Sequence, residues 1–315
     1  MFAFIYVLCV FFSWSRFPVR CRPASDDDTD VISGSGQSTI TFDKWRLNDH
    51  YTERMAKDDF GYVTKFDGED RAIIATDQPI ENRNDGDDDA AKEDDGDDGR
   101  SASIRNYYLR VELPADKVGP ADSGVNFKFD LKPQPGYEMS YKIRFENDFD
   151  WVSGGMLPGL CNGDCDVMEH NTDGDGSTIT TMWDRDGKLL VNLKQPGQSS
   201  EFGATTTTDY TFARNRWTDL KIRWVIWPVV DDDRGDFDND DTGRRTEMLQ
   251  GTIMIWADDD LVYERRKIPI IGNLKTIDKC HFSAFYDNRD QSDKPEVANY
   301  IGFDNVFIKK FEPSA

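Results

Sequence analysis

From residue 137 to 146 apolar and polar positions alternate without a break. Tyr137, Met139, Tyr141, Ile143 and Phe145 fall on one side, Glu138, Ser140, Lys142, Arg144 and Glu146 on the other. A period of two predicts a β-strand with one face in a core and the other in polar surroundings. The same period runs through 125–131, where Val125, Phe127, Phe129 and Leu131 alternate with Asn126, Lys128 and Asp130. Further strands are predicted at 107–113, 177–183, 188–194, 217–227, 251–257, 261–267, 281–286 and 300–311. Asp186-Gly187, Pro228 and Asp258 to Asp260 supply turn chemistry between them. Only one short helical turn, near 48–57, breaks the β pattern, and neither a βαβ rhythm nor an internal repeat is present. The predicted fold is all-β: an antiparallel β-sandwich of jelly-roll type with acidic loop insertions.

The two strands 177–183 and 188–194 can be read face by face. Leu189, Val191 and Leu193 mark the buried side of the second, which leaves Lys188, Leu190, Asn192 and Lys194 on the other. On the first, Ile179, Thr181 and Trp183 face inward and Thr178, Thr180 and Met182 outward. The resulting stripe of Thr, Asn and Lys suits a sugar-binding cleft, and equally the solvated outer face of an antiparallel sheet. Ahead of this pair lies DFDWVSGGMLPGL, residues 148–160, predicted as a glycine-hinged loop closed by a turn at Pro158-Gly159. Trp217, Trp224, Trp227 and Trp256 stand among apolar neighbours and are expected mostly in the core.

Charge changes this picture. The chain of 315 residues carries a formal net charge of −22, with acidic residues gathered in runs. Nucleic acid is excluded as a partner, because binding a phosphate backbone requires clustered Lys and Arg. A polyanionic substrate would also be repelled unless the binding face is locally basic. The opening apolar run, residues 2–14, is short of the ~20 residues of a membrane-spanning helix and suits a signal peptide. The expected organisation is a signal peptide at 1–22, a polar lead-in at 23–37 and one domain at 38–315, with the mature protein secreted. No later stretch is apolar enough to span a membrane. In an oxidising compartment Cys161 and Cys165, four positions apart, are the expected disulfide, with a zinc site as the rival reading.

Two acidic segments carry their own chemistry. In DDDRGDFDNDDTG, Asp236, Asp238 and Asp240 take alternate positions with Glu247 further on, a spacing that could supply oxygen ligands to calcium. Asp241 replaces the glycine such a loop needs, so a solvated acidic loop is the competing reading. Arg234-Gly235-Asp236 is a tripeptide short enough to recur by chance. His170 lies among Asp164, Asp166, Glu169, Asp173 and Asp175, as a solvated loop residue or as a proton donor.

Three segments, YEMSYKIRFENDFDWVSGGMLPGL, TTMWDRDGKLLVNL and HFSAFYDNRDQSDKPEVANYIGFDNVFI, resemble successive strands of alginate-lyase-like polysaccharide lyase family 14, which is related to glucuronan lyases. The resemblance runs from about Trp45 to Phe311. It implies a jelly roll with a cleft across one concave sheet and cleavage of polyuronates by β-elimination. That reaction needs a group to neutralise the uronate carboxylate, a base for the C5 proton and an acid for the leaving oxygen. The family's site positions fall on Ser153, Met156, Thr178, Thr180, Asn192 and Lys194, where the usual catalytic side chains are substituted. Arg289 is a further substrate-binding candidate. Recognition of an extracellular or cell-wall polysaccharide, a polyuronate above all, is therefore expected. An active lyase would use Lys194 as base or carboxylate partner with Tyr286 or His170 as acid. A calcium-dependent interaction protein is the alternative of another class. Neither the polysaccharide nor the oligomeric state is legible.

Overall fold

A computed structural model describes residues 39–77, 106–152, 154–163, 176–198, 203–228, 249–270, 275–287 and 293–312. The elements follow in chain order: helix α1 (Glu53–Phe60), then strands β1 (Val63–Asp67), β2 (Ala72–Thr76), β3 (Tyr107–Leu113), β4 (Val125–Gln134), β5 (Gly136–Phe145), β6 (Gly155–Asn162), β7 (Ser177–Trp183), β8 (Lys188–Lys194), β9 (Ala204–Thr211), β10 (Thr218–Pro228), β11 (Leu249–Ala257), β12 (Asp260–Ile270), β13 (Ile277–Tyr286) and β14 (Asn299–Lys310). The helix starts where Thr52 accepts the backbone N–H of Met55 and ends at Gly61, and it buries Met55, Ala56 and Phe60. The domain thus opens on a two-turn helix somewhat later than the helical turn predicted at 48–57.

The strands form two antiparallel seven-stranded sheets. Sheet I has the order β1-β4-β13-β6-β7-β8-β9, and Sheet II the order β12-β11-β10-β5-β14-β3-β2. Chain neighbours often belong to different sheets, as β4 and β5 do, which is the jelly-roll pattern of an antiparallel β-sandwich. The alternation of β5 sends Tyr137, Met139, Tyr141, Ile143 and Phe145 into the core. From Sheet I, Phe127, Phe129, Ile179, Trp183, Leu189, Val191, Cys280, Phe282 and Tyr286 meet them. Aromatic contacts tie the layers together: Phe282 stacks on Phe127 at 5.0 Å and meets Phe303 of Sheet II edge-on at 5.1 Å. Trp183 meets Phe145 at 5.5 Å in the same way. Hydrogen bonds also cross the core, between Tyr141 Oη and Thr181 Oγ1 at 3.0 Å and from Cys280 Sγ to Met139 Sδ at 3.4 Å.

The structure corrects the reading of 148–160. Phe149 and Trp151 do enter the core from a loop, but Gly155–Asn162 is a strand, buried along its whole length between β13 and β7. Pro158 lies inside it, where the register with β7 shifts between Met156 and Gly159, and not in a closing turn. Proline is tolerated at such an irregularity because it has no ladder hydrogen bond to give. The glycines are set by closeness of approach. A Cβ on Gly159 would lie 2.0 Å from the carbonyl oxygen of Ile179, and one on Gly155 would lie 2.1 Å from the ring of Trp183. Strands β1, β2 and β9 were also not apparent from the pattern. Strand β9, ATTTTDYT, is an exposed edge with few apolar residues to mark a face. The tryptophans divide: Trp224 is in the core, whereas Trp217, Trp227 and Trp256 are only half-buried.

Candidate functional site

The outer face of Sheet I, turned away from the core, is banded along the strand direction. One row of registered partners crosses all seven strands: Thr64, Lys128, His281, Gly159, Thr180, Asn192 and Thr205. On one side of it runs an apolar row, Phe285, Met156, Met182 and Leu190, which packs as a small cluster separate from the main core. On the other side runs a charged row, Asp130, Lys279, Cys161, Thr178 and Lys194. The predicted facing of 177–194 is what the strands adopt, since Thr178, Thr180, Met182, Leu190, Asn192 and Lys194 share this side.

Burial separates the bands. His281 is 1% exposed, Thr180 0% and Asn192 4%, so the middle of the polar row is enclosed. Lys128, Lys279 and Lys194 are half-buried and Asp130 is exposed. Enclosed polar groups are costly unless they are satisfied or serve a ligand. Asn192 is satisfied in part, donating from Nδ2 to Thr205 Oγ1 at 3.0 Å. Ser283 donates to the Leu157 carbonyl at 3.0 Å. His281 Nε2 lies 2.5 Å from Asn126 Oδ1, and Asn126 Nδ2 donates to Asp67 Oδ2 at 3.4 Å. Thr180 Oγ1 has no hydrogen-bond partner among the described residues. Between His281 and Thr180 the row passes through Gly159, so the two side chains flank a position that carries none, two strand spacings or roughly 9–10 Å across. A polar row flanked by an apolar row on one side and a lysine-bearing row on the other has the composition that a sugar ring, its hydroxyls and a carboxylate require.

The sequence-predicted site residues scatter against this frame. Met156, Thr178, Thr180, Asn192 and Lys194 come together on the face. Tyr286 does not share it: its ring points into the core against Phe149 and Trp183, and its hydroxyl donates to the Asp150 carbonyl. Burial raises its phenol far above the ordinary value, which makes it a poor proton donor to anything on the outer face. Ser153, His170, Arg289, Cys165 and the calcium candidates Asp236, Asp238, Asp240 and Glu247 lie outside the described residues. Cys161 is buried and is not a free thiol. Among the described residues no cluster of His, Cys, Asp and Glu is arranged to hold a metal ion.

Sequence reasoning missed His281, Asn126, Lys128 and Lys279 as site residues. Their signal was present as parity. In KCHFSAFY the inward set is Cys280, Phe282, Ala284 and Tyr286, which leaves Lys279, His281, Ser283 and Phe285 outward. Phe285 blurred that alternation, because an aromatic on the outer face makes the strand read as apolar on both sides.

Residues 102–227, which span β3 to β10, match the Polysaccharide lyase 14 family model. The chain is polysaccharide-lyase-14-like. Its fold is similar to that of the alginate lyase Aly36B, with a TM-score of 0.62 at 18% identity over 88% of this chain and 98% of that one. It is likewise similar to the marine PL-14 alginate lyase from Aplysia kurodai, with a TM-score of 0.59 at 16% identity over 86% of this chain and 100% of that one. A doubly substituted Aly36B whose structure holds an alginate trisaccharide superposes at a TM-score of 0.61, at 18% identity over 87% of this chain and 98% of that one. At these identities the structural likeness speaks for the fold. No curated protein matches the chain.

Proposed function

We propose that the protein takes an extracellular or cell-wall polyuronate along the outer face of Sheet I, and that recognition is its first act. The observation that carries this reading is the banding of that face. Thr178, Thr180 and Asn192 suit sugar hydroxyls, Met156, Met182 and Leu190 suit the apolar side of a ring, and Lys128, Lys279 and Lys194 suit carboxylates. A chain of net charge −22 repels an anionic polymer except where lysines gather, and here three gather on one face. The likeness to alginate lyases, one of them seen with an alginate trisaccharide, supports a polyuronate over a neutral glycan. Secretion is proposed from the opening apolar run, and a Cys161–Cys165 disulfide accords with Cys161 being no free thiol. Titration calorimetry with alginate, glucuronan and a neutral glucan tests the reading. Heat with a polyuronate and none with the glucan is expected, and silence with all three overturns it.

A second reading, β-elimination, is favoured by one observation, the hydrogen-bonded imidazole in the polar row. With Met156 unable to move protons, His281 takes the C5 proton, the C4–O bond breaks as the C4–C5 double bond forms, and the same imidazole returns the proton to the leaving oxygen. One group can do both only where C5–H and C4–O lie on the same side of the ring, as in D-mannuronate and D-glucuronate but not L-guluronate. Recognition stands first because it draws on the half-buried lysines, whereas elimination needs His281, which is enclosed as Thr180 and Asn192 are. Ultraviolet absorbance of the unsaturated uronate end decides it. Product from mannuronan or glucuronan and not from guluronan is expected, and no product from any of them overturns elimination alone.

A further inference from the structure

The geometry points to a second binding site, a hollow on the outer face of Sheet II that takes a single neutral pyranose at a chain end or branch. It lies on the opposite side of the sandwich from the polyuronate face and does not rest on that reading.

The hollow is centred on Ser140. This is the outward residue of β5 between Glu138 and Lys142, and its registered partners are Lys221 of β10 and Phe307 of β14. A hydroxymethyl group among these long side chains leaves a gap, and a cavity of about 210 Å³ opens there. Tyr141 and Leu220, whose side chains belong to the core, close it from below. Half-buried Trp256, the partner of Lys221 on β11, gives it an aromatic wall. Asn305 reaches it from β14 because of a bulge: residues 304 to 307 oppose 142 to 140, and Asn305 takes a left-handed backbone with φ 50°. Asp219 and Asp259 complete the lining. The turn that carries Asp259 is fixed, since Asp258 Oδ1 accepts the Asp219 N–H at 3.0 Å and the Asp258 N–H donates to the Asp219 carbonyl at 2.9 Å.

What the lining leaves open identifies the ligand. Arg110, Arg144 and Arg223 of this face each meet a carboxylate. Among the described residues Lys221 meets none: its Nζ lies 4.6 Å from the centre of the Trp256 ring. The side chains of Ser140, Asp259 and Asn305 form no hydrogen bond among the described residues, and the Asp219 carboxylate meets only Lys142, at 3.8 Å. Donors and acceptors therefore mix around one small space: an ammonium that donates, two carboxylates that accept, and a hydroxyl and an amide that do both. An anion needs donors alone and is repelled by Asp219 and Asp259; a metal ion needs oxygens alone and is repelled by Lys221. A sugar hydroxyl donates and accepts at once, and the C–H groups of its ring suit Trp256. Pockets for larger ligands run to about 300–1,000 Å³, so this one matches a single ring.

Saturation-transfer NMR of the full-length protein with the methyl glycosides of glucose, galactose, mannose and glucuronic acid tests the site. Signal is expected from at least one neutral glycoside, with a Kd of the order of 1 mM for so few contacts. A glucan polymer offers few ends, so its silence in calorimetry bears on Sheet I alone. Ser140→Leu, which fills the hollow from the solvent side, is expected to abolish the neutral signal and to spare any signal from the glucuronide. Asp259→Asn, at an exposed turn position whose left-handed backbone suits asparagine, is expected to weaken neutral binding about tenfold. Silence from every neutral glycoside overturns the inference. So does an unchanged signal in Asp259→Asn, which decides the matter should Ser140→Leu fail to fold, and so does a glucuronide signal that Ser140→Leu removes. Excess alginate is expected to leave the neutral signal in place, and displacement would put the sugar on Sheet I and overturn the hollow. Calorimetric silence with polyuronates beside an intact neutral signal removes the polyuronate reading alone.

Discussion

The two sheets turn outer faces of opposite character away from one core, although both are built on the same alternation. On Sheet II the outward side chains are charges matched with charges. Arg144 forms two hydrogen bonds of 2.7 Å with Asp77 and lies against the rings of Tyr108 and Trp217. Arg110 pairs with Glu146 at 2.6 Å and lies over Tyr300. Glu138, nearly buried, receives Lys309 at 2.8 Å and Arg223 Nε at 2.9 Å. On Sheet I the outward centre is polar and enclosed, with Asn126, His281, Ser283, Thr180 and Asn192, and the half-buried Lys128 stands in the same row. A solvated face neutralises itself because long charged side chains cover apolar surface and keep their heads in water. A face that encloses neutral polar groups gains little stability from them, since the net worth of such hydrogen bonds is small and an unmet one costs more. That asymmetry is the physical reason to seek the polyuronate on Sheet I and, outside the hollow over Ser140, stability on Sheet II.

The comparison can be broken most forcefully at Gly159. Gly159→Ala drives a methyl into the Ile179 carbonyl and should cost about 3 kcal/mol or more in a urea melt. A cost below ~1 kcal/mol would mean that β6 and β7 are not held at this spacing. Next comes Glu138→Gln on the charge-paired face. Burial opposes ionisation of Glu138, yet the hydrogen bonds from Lys309 and Arg223 hold its carboxyl below the usual range. A carboxyl lowered in the folded state stabilises the protein above its unfolded pKa, and that contribution is lost as pH falls through the folded value. The substitution should therefore cost about 2 kcal/mol at neutral pH and flatten the acid limb of stability against pH. An unchanged acid limb would remove Glu138 from the account.

Asp304, also on Sheet II, has the opposite sign. Burial pushes its carboxyl up to about 6 even though it accepts the backbone N–H of Asn305 at 2.7 Å. The folded state holds this proton more tightly than the unfolded state, so its contribution is complete at low pH and is lost as pH rises through about 6. Asp304→Asn, which keeps the acceptor, should gain about 1 kcal/mol at pH 8 and nothing near pH 4 by thermal melting. A loss at pH 8 would show that the charge is useful. The smallest effect on stability is expected at Lys194. Lys194→Ala should change the melt by less than about 0.5 kcal/mol and weaken polyuronate binding about tenfold. Equal affinity for both proteins would move the binding face away from β8.

How much was legible varies with position. The faces of β5, β7 and β8 could be read because each has one consistently apolar side, and the outward set Thr178, Thr180, Asn192 and Lys194 followed from parity alone. Strand β6 could not be read, because a strand buried on both faces and spaced by glycines has no alternation to show. Its glycines have a reason that the predicted hinge did not supply: they let β13 and β7 close on either side. His281 was a strand residue without a role until Asn126 and Asp67, more than 150 and more than 200 positions earlier, were brought beside it. Tyr286 was offered as an acid because its chemistry fits; a shift of one residue along β13 would have put it on the right face.

The sequence by itself determined that the chain is a β-sandwich, which sides of the clear strands face the core, and that Met156 stands in the segment between Gly155 and Leu157. These are local properties, set by a period of two and by the identity of single residues. Only the tertiary structure decided which strands lie side by side, and with them the row from Lys128 through His281 to Asn192. Register between strands distant in the chain is settled by which glycines permit close approach and which rings interlock, and neither can be read one strand at a time.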